Sequence, residues 1–337
     1  MYIFFGKSFY FVLLFKILWY NKFMQDEKYI KSFDGELLYA KEYICENPKG
    51  EIIISTDIKE YAGLYENFAQ FMNENGYNVF IYDLRAHKSS AKDPFGTYSG
   101  NFFNDCVRDL VYLNKYLSKK YELPITNIGI GIGSTILTRA NQFIDFSTTN
   151  FLVGTNFEQF NVKNYVLLCL TRLTLVFINK NSEIKWLNRA INKNNGKKFE
   201  ENAFESTNKA YIQKIRNDKF CNFNLSANIL NSIYKGNIQT FLRKNLQKIS
   251  TNKKFFITSG EFDVITNFGS KTHKLAHKLK HLKINNEHII FNNKRHNLLN
   301  ESDNTFAEYI LKILNDKGDN NNDLWWNQQS QYWRFKK

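Results

Sequence analysis

Strand-like and helix-like segments alternate along the first half of this 337-residue chain, and that order limits its fold more than any other feature. Short apolar runs, typical of buried strands, occur at residues 51–55, 77–82, 125–130 and 150–153. Helical spacing of apolar residues occurs between them, at residues 62–75, 102–121 and 134–143. This order favours a mainly parallel sheet with helices on both faces. We therefore predict an α/β fold.

The alternation is interrupted once, between residues 156 and 250. There the sequence shows helical patches and little strand character; the patches lie at residues 165–179, 211–215 and 229–234. The alternation then resumes with strand patterns at 254–259 and 287–291 and helical patterns at 271–281 and 305–314. We predict one core built from residues 25–155 and 251–316, with residues 156–250 inserted as a helical cap.

The two ends of the chain lie outside this pattern and combine aromatic with basic residues. In residues 1–24 the longest uninterrupted apolar run, Phe9–Phe15, has seven residues, whereas a helix needs ~20 to cross a bilayer. This segment is compatible with a helix packed on the domain, with an interfacial anchor or with a tilted span. Residues 317–337 carry three of the five tryptophans. These rings either pack on the core or lie at a membrane surface.

The charge of the chain bears on its partners. Lysine plus arginine exceeds aspartate plus glutamate by 46 − 32 = 14. No helix-turn-helix, RRM or zinc-finger pattern accompanies this charge, so nucleic-acid binding is not expected. Basic side chains beside aromatic ones are drawn to anionic lipid. We therefore expect a cytoplasmic protein that attaches peripherally to the cytoplasmic face of a membrane through both of its ends.

Neither a metal nor another cofactor is expected. The four cysteines are far apart and form no CxxC pair, which favours reduced thiols over a disulfide framework or a zinc ribbon. His273, His277 and His281 share a helix face at a spacing that can bind metal. Lysines crowd the same segment, and their charge opposes a divalent cation. A solvated basic helix is the better interpretation.

A glycine-rich turn follows the predicted strand at 125–130. Its pattern, Gly129-x-Gly131-x-Gly133, matches the spacing of a nucleophile elbow, G-x-S-x-G, in which a serine stands at a strained strand-to-helix turn. Here the central position is glycine. A dinucleotide-binding loop would need a further glycine at position 134, which is Ser134, and a carboxylate ~20 residues on.

Six segments in the right order resemble the lysophospholipase and monoacylglycerol-lipase branch of the α/β-hydrolases, which is of the serine-aminopeptidase type. The segments are DLRAHKSS at 83–90, the elbow with Gly133-Ser134, Gly154-Thr155 before the cap, YIQKIRNDKFCNF at 211–223, SGEFD at 259–263 with NFG at 267–269, and KRH at 294–296. The resemblance covers roughly residues 30–316. It implies an α/β-hydrolase fold, with a mostly parallel sheet and an inserted helical cap.

The resemblance also assigns roles to single positions. It makes Asp263 the triad acid and His296 the triad base, and it puts Gly131, which has no side chain, at the nucleophile position. Where the family has an H-G oxyanion loop, this chain has Thr56, Asp57 and Ile58, and the elbow donor is Ile132. A carboxylate at position 57 is expected to repel a developing oxyanion.

Three functions therefore remain open. The leading one is a pseudoenzyme that lacks the serine nucleophile and binds a lipid or acyl ligand under its cap. The second is an active ester hydrolase that uses either a displaced nucleophile, Ser134 or Ser55, or a water activated by His296. The third is a non-catalytic interaction scaffold. We expect Ser134 to cap the helix that follows the elbow, as serine hydroxyls commonly do.

Overall fold

A computed structural model of the chain describes residues 24–92, 94–145, 147–158, 162–188 and 203–316. Eight strands form one sheet in the order β1-β2-β4-β3-β5-β6-β7-β8. The strands are β1 (Met24–Lys31), β2 (Leu37–Ile44), β3 (Glu51–Ser55), β4 (Asn78–Tyr82), β5 (Ile125–Ile130), β6 (Ser147–Val153), β7 (Lys254–Gly260) and β8 (Asn285–Phe291). From β4 to β8 every neighbouring pair is parallel. The predicted mainly parallel α/β architecture is confirmed.

The first two strands were not predicted from the sequence. They form an antiparallel hairpin, and β2 also pairs antiparallel with β4. Strand β1 reads MQDEKYIK and has exposed polar residues at the sheet edge, so it lacks the apolar run of a buried strand. Charged residues on an edge strand oppose unwanted pairing with other chains.

The α-helices with defined bounds are interspersed with the strands along the chain. They are α1 (Glu66–Glu74), α2 (Phe102–Tyr121), α3 (Ile132–Ala140), α4 (Val162–Phe177), α5 (Lys209–Asn217), α6 (Ala227–Thr240), α7 (Arg243–Leu246), α8 (Ser270–His281) and α9 (Thr305–Asn315). The helix predicted at 62–75 is in fact a short 3₁₀ turn at Ala62–Leu64 followed by α1.

The sheet separates two apolar clusters. Alternation along β3 shows this directly: Ile53 belongs to one cluster, and Ile52 and Ile54 belong to the other. Side chains of a strand point to opposite faces in turn, so a strand buried on both faces reads as a continuous apolar run. This explains why EIIIS predicted a strand without any polar alternation.

The residues inserted between β6 and β7 include α4, α5, α6 and α7. Helix α6 packs closely on α2, because a Cβ atom on Gly236 would overlap the ring of Phe103. Ser232 of α6 also accepts a hydrogen bond from the Phe103 backbone N–H at 2.8 Å. The patches predicted at 211–215 and 229–234 are segments of longer helices, whereas the one predicted at 165–179 overlaps α4 and extends two residues past its end.

Within the described residues, no helix is both long enough and apolar enough to cross a membrane. The expectations for residues 1–23 and 317–337 lie outside the described residues.

Candidate active site

The glycine turn between β5 and α3 has the geometry of a sharp elbow. Gly131 lies between the last residue of β5 and the first residue of α3, with φ 50° and ψ −113°. Residues with a side chain are strained at such a φ, at a cost of order 1–3 kcal/mol, whereas glycine is not. The Gly131 N–H donates to the carbonyl of Val153 at the end of β6, at 2.9 Å. The tip is therefore held between two strand ends.

The two flanking glycines allow α3 to approach the sheet. A Cβ atom on Gly129 would lie 2.6 Å from the carbonyl oxygen of Gly133, and one on Gly133 would overlap the backbone of Ser55. Both distances are too short for side-chain-bearing residues. The G-x-G-x-G pattern is thus explained by helix–strand contact at the outer two positions and by backbone conformation at the middle one.

Asp263 and His296 meet beside this elbow. Asp263 follows β7, His296 follows β8, and both side chains are almost completely buried. His296 Nδ1 lies 3.0 Å from Asp263 Oδ1. The ring packs against Gly154 at the end of β6, where a Cβ atom would come within 2.5 Å of its Cε1. The structure therefore brings together the two positions that the sequence resemblance assigned to the triad acid and base.

The carboxylate of Asp57 occupies the space in front of Gly131. A Cβ atom on Gly131 would overlap all three atoms of that carboxyl group. Asp57 Oδ1 accepts hydrogen bonds from the backbone N–H groups of Ile58 and Ile132, both at 2.7 Å. Asp57 Oδ2 lies 3.2 Å from His296 Nε2. Asp57 thus fills the space that a side chain on residue 131 would need, and it also accepts the hydrogen bonds of the backbone N–H groups beside that space.

His296 lies between two carboxylates, and these shift its pKa. Burial alone lowers the pKa of His296, but the carboxylates of Asp263 and Asp57 outweigh that effect and raise its pKa well above the usual range. A carboxylate therefore lies at each ring nitrogen, and both carboxylates favour the protonated form of the imidazole.

Glu60 fixes the loop that carries Asp57. Its Oε2 accepts the Asp57 backbone N–H at 3.2 Å and also the Tyr65 hydroxyl. Its Oε1 accepts from the Tyr211 hydroxyl and the Asn297 side chain, each at 2.8 Å. Burial raises the pKa of Glu60, and the Asp57 charge adds to the shift. This network ties the loop after β3 to helix α5 and to the loop of His296.

The nearby hydroxyl groups point elsewhere. Ser134 Oγ donates to the carbonyl of Gly131 at 2.5 Å, and Ser55 Oγ is bonded to the Tyr82 hydroxyl at 3.1 Å. The expectation that Ser134 caps the helix is wrong, because its hydroxyl donates to a carbonyl and does not accept an N–H. Thr56 is fully buried. Both ring nitrogens of His296 face carboxylates rather than either serine.

The segment at 83–90 has a structural part in this fold. The guanidinium of Arg85 pairs with both oxygens of Asp109 on α2, at 2.6 Å each, and with Asp34 in the β1–β2 turn. His87 is completely buried, and burial lowers its pKa to about 4. Its Nδ1 lies 2.8 Å from the Arg85 carbonyl. These contacts join the hairpin to the core.

Glu205 was missed by sequence reasoning. Burial raises the pKa of its carboxyl group well above the usual range, against the opposing charge of His296. The backbone of this segment also supports the histidine loop, because the N–H of Asn297 donates to the Glu205 carbonyl at 2.7 Å. No motif surrounds position 205, so only the folded chain places it near the site.

The part of the chain that the structure describes contains no group of three or more His, Cys, Asp or Glu side chains placed to hold a metal ion. His273 and His277 contact each other, with their Nε2 atoms 3.0 Å apart.

The strand order, the glycine elbow after β5 and the acid–histidine pair after β7 and β8 define an α/β-hydrolase. The particular family follows from the sequence: residues 46–303 match the model of the family described as serine aminopeptidase, S33, and the chain belongs to that family. The resemblance predicted from the six segments is confirmed. No curated protein sequence matches the chain.

Solved structures of esterases and lipases have the same fold. A thermostable carboxyl esterase from Bacillus coagulans superposes with a TM-score of 0.78 at 19% identity, covering 86% of this chain and 98% of that chain. A monoglyceride lipase from Saccharomyces cerevisiae gives 0.68 at 17% identity, with 87% and 95% covered. A monoacylglycerol lipase from Paleococcus ferrophilus gives 0.60 at 15% identity, with 82% and 98% covered. The chain is an α/β-hydrolase with a lipase- and esterase-type fold.

Proposed function

We propose that this chain does not hydrolyse esters through a serine acyl-enzyme and is a pseudoenzyme for that reaction. The observation that carries the proposal is the Asp57 carboxylate in front of Gly131. An acyl-enzyme needs a nucleophile beside the histidine, and its oxyanion needs free N–H donors. Gly131 supplies no nucleophile, and the Ile132 N–H is already bonded to Asp57 Oδ1.

The charge of His296 supports the same proposal. A general base must be unprotonated to take a proton from a hydroxyl or from water. The two flanking carboxylates raise the pKa of His296 and so favour its protonated form. Its Nε2, the nitrogen that would face a substrate, is directed at Asp57 Oδ2. This arrangement disfavours attack on an ester by a water that His296 activates.

We further propose that the cap contacts a lipid or acyl ligand. Helix α4 presents a row of apolar side chains that are exposed in the described part of the chain. The row consists of Val162, Val166, Leu170, Leu173 and Phe177. Their spacing of three or four residues places them on one face of the helix, and exposed apolar faces of this kind commonly mark interaction sites.

An ester hydrolysis assay tests the first part. Wild-type protein and the His296→Ala variant are compared on p-nitrophenyl esters and on a monoacylglycerol. We expect no turnover above the buffer rate from either protein. Robust turnover by the wild type that is abolished in His296→Ala would contradict the proposal.

A thermal-shift titration tests the second part. A monoalkylglycerol ether cannot be hydrolysed by an esterase, and a ligand that binds only the folded state raises the melting temperature increasingly as its concentration exceeds the Kd. We expect a concentration-dependent rise for the wild type and a smaller one for Leu173→Asp. A flat titration for the wild type would contradict ligand binding.

A further inference from the structure

Helix α8 carries two histidines that bring their ring nitrogens together. His273 and His277 lie one turn apart, and both side chains are exposed. Their Nε2 atoms are 3.0 Å apart, and the rings meet edge to face with centroids 4.4 Å apart. The same nitrogen of each ring therefore comes to one place on the protein surface, away from the elbow.

This spacing is the one that two imidazoles adopt on a single metal ion. With metal–nitrogen bonds of ~2.0–2.1 Å, two nitrogens at this separation subtend about 94° at the metal. An angle near 90° is that of neighbouring ligands in the square-planar and tetragonal sites of copper(II) and nickel(II). We propose that His273 and His277 form a binding site for nickel(II) or copper(II), in which water completes the coordination.

The protonation of the pair suits this role. A histidine binds metal as neutral imidazole, through a nitrogen that carries a lone pair. Burial lowers the pKa of His273, and the charge of His277 adds to the shift. Two N–H groups would repel each other at 3.0 Å, so the contact requires a lone pair on at least one of the two nitrogens. Neutral imidazole is therefore already favoured before a metal binds.

A third histidine, His288 of β8, packs against the pair. The centroids of its ring and the His273 ring are 5.4 Å apart. Thr272 Oγ1 donates its proton to the Gly269 carbonyl at 2.8 Å, so it accepts from His288 Nε2 at 3.0 Å. This bond orients the His288 ring. Burial lowers the pKa of His288 to about 4, so this ring adds no positive charge beside the pair at neutral pH.

The lysines of α8 oppose a cation less than their number in the sequence suggests. Lys271 Nζ pairs with Glu158 Oε1 at 2.7 Å, and Lys278 Nζ donates to a backbone carbonyl at 2.7 Å. Both ammonium groups are thus bonded to groups outside the helix. Lys274 and Lys280 are exposed, and water and salt screen charges at such positions. The lysines therefore lower the affinity for a metal ion without preventing its binding.

The metal site lies on the helix that follows the Asp263 loop. The Lys271 N–H donates to the Thr266 carbonyl at 2.9 Å, and the Thr266 N–H donates to Asp263 Oδ1 at 3.3 Å. A metal ion that joins two turns of α8 binds the folded helix and stabilises it by mass action. Binding at this site does not depend on the proposed function of the elbow.

Calorimetric titration of the full chain with nickel(II) chloride at neutral pH tests the site. We expect binding by the wild type that weakens ~10-fold or more in His273→Gln and in His277→Gln, because one imidazole alone cannot chelate. His281→Gln changes an exposed histidine one turn further along α8 and is the matched control, which should bind as the wild type does. Absence of binding by the wild type would overturn the proposal, and so would equal affinity in all four proteins.

NMR of the wild-type protein identifies the ligands without any variant. In ¹⁵N-labelled protein, nickel(II) below one equivalent should shift or broaden the imidazole signals of His273 and His277 before that of His281. The melting temperature should also rise with nickel(II) concentration in the wild type and rise less in His277→Gln. Perturbation of His281 first, with the other two signals unchanged, would overturn the assignment of the ligands.

Discussion

The carboxylate of Asp57 occupies the position that a side chain on residue 131 would fill. A Cβ atom on Gly131 would overlap the Asp57 carboxyl group, which also takes the Ile132 N–H and faces His296. Glycine at the elbow and the carboxylate in the adjoining loop are therefore sterically coupled. A side chain on residue 131 would require the Asp57 carboxylate to move.

This relationship predicts how a serine introduced at position 131 affects ester hydrolysis. Gly131→Ser alone should yield no ester hydrolysis, because the new side chain would collide with Asp57 and would adopt a strained φ. Gly131→Ser combined with Thr56→His and Asp57→Gly frees both the space and the donor. Turnover of p-nitrophenyl esters should then appear. Since one oxyanion donor is worth ~10²–10³ in rate, we expect at least that ratio between the triple and the single variant. Equal rates for the two variants would contradict the account.

Glu51 predicts a dependence of stability on pH. Burial raises the pKa of this β3 residue from 4.5 to about 8, and the Glu42 charge adds to the shift. Between these values the unfolded chain releases the proton and the folded chain keeps it. The free energy of unfolding should therefore fall as pH rises through this window, by at most ~1.4 kcal/mol per unit, and should level off above it.

Glu51→Gln removes this titration. Denaturant unfolding between pH 5 and pH 9, a range chosen to bracket the window, should show the variant to be more stable than the wild type at the alkaline end and less dependent on pH. Glu46→Gln, which changes an exposed glutamate, is the matched control and should follow the wild type. The account of Glu51 is wrong if all three profiles coincide.

The apolar row on α4 and the basic, aromatic ends predict attachment to anionic membranes. Val176 and Phe177 of this helix are 75% and 83% exposed, and each cationic side chain near the surface adds ~1 kcal/mol. In liposome flotation we expect the full chain to rise with anionic vesicles at low salt. The double variant Leu173→Asp/Phe177→Asp should rise less than the wild type. A variant lacking residues 1–24 and 318–337 should also rise less. Phe143→Asp, outside the cap, should behave as the wild type. A full chain that stays at the bottom would refute attachment.

The sequence predicted the sheet well where strands are buried on both faces. EIIIS at 51–55 and ITNIGI at 125–130 form β3 and β5 with the predicted bounds. A short apolar run bounded by turns is typical of a strand that is buried on both faces. The hairpin of β1 and β2 was missed because its outer strand is mostly polar. The hairpin joins the sheet through the pairing of β2 with β4, and these two strands are far apart in the sequence.

The site was accessible to sequence reasoning only in part. Family motifs identified Asp263 and His296, and the fold places them 3.0 Å apart. Asp57 was expected to repel an oxyanion from nearby, but the structure places its carboxylate among the donors themselves. That placement depends on the loop conformation set by Glu60, Tyr211 and Asn297. No local pattern encodes contacts between residues so distant in the chain.

Fluorophosphonate labelling of the purified wild-type protein tests the central claim most directly, because the probe reacts with serines that a neighbouring base has activated. The account predicts no labelled serine, since the elbow carries Gly131 and both nitrogens of His296 face carboxylates. Intact-mass analysis should show an unchanged protein after prolonged incubation. Stoichiometric labelling of a serine, lost in His296→Ala, would contradict the account.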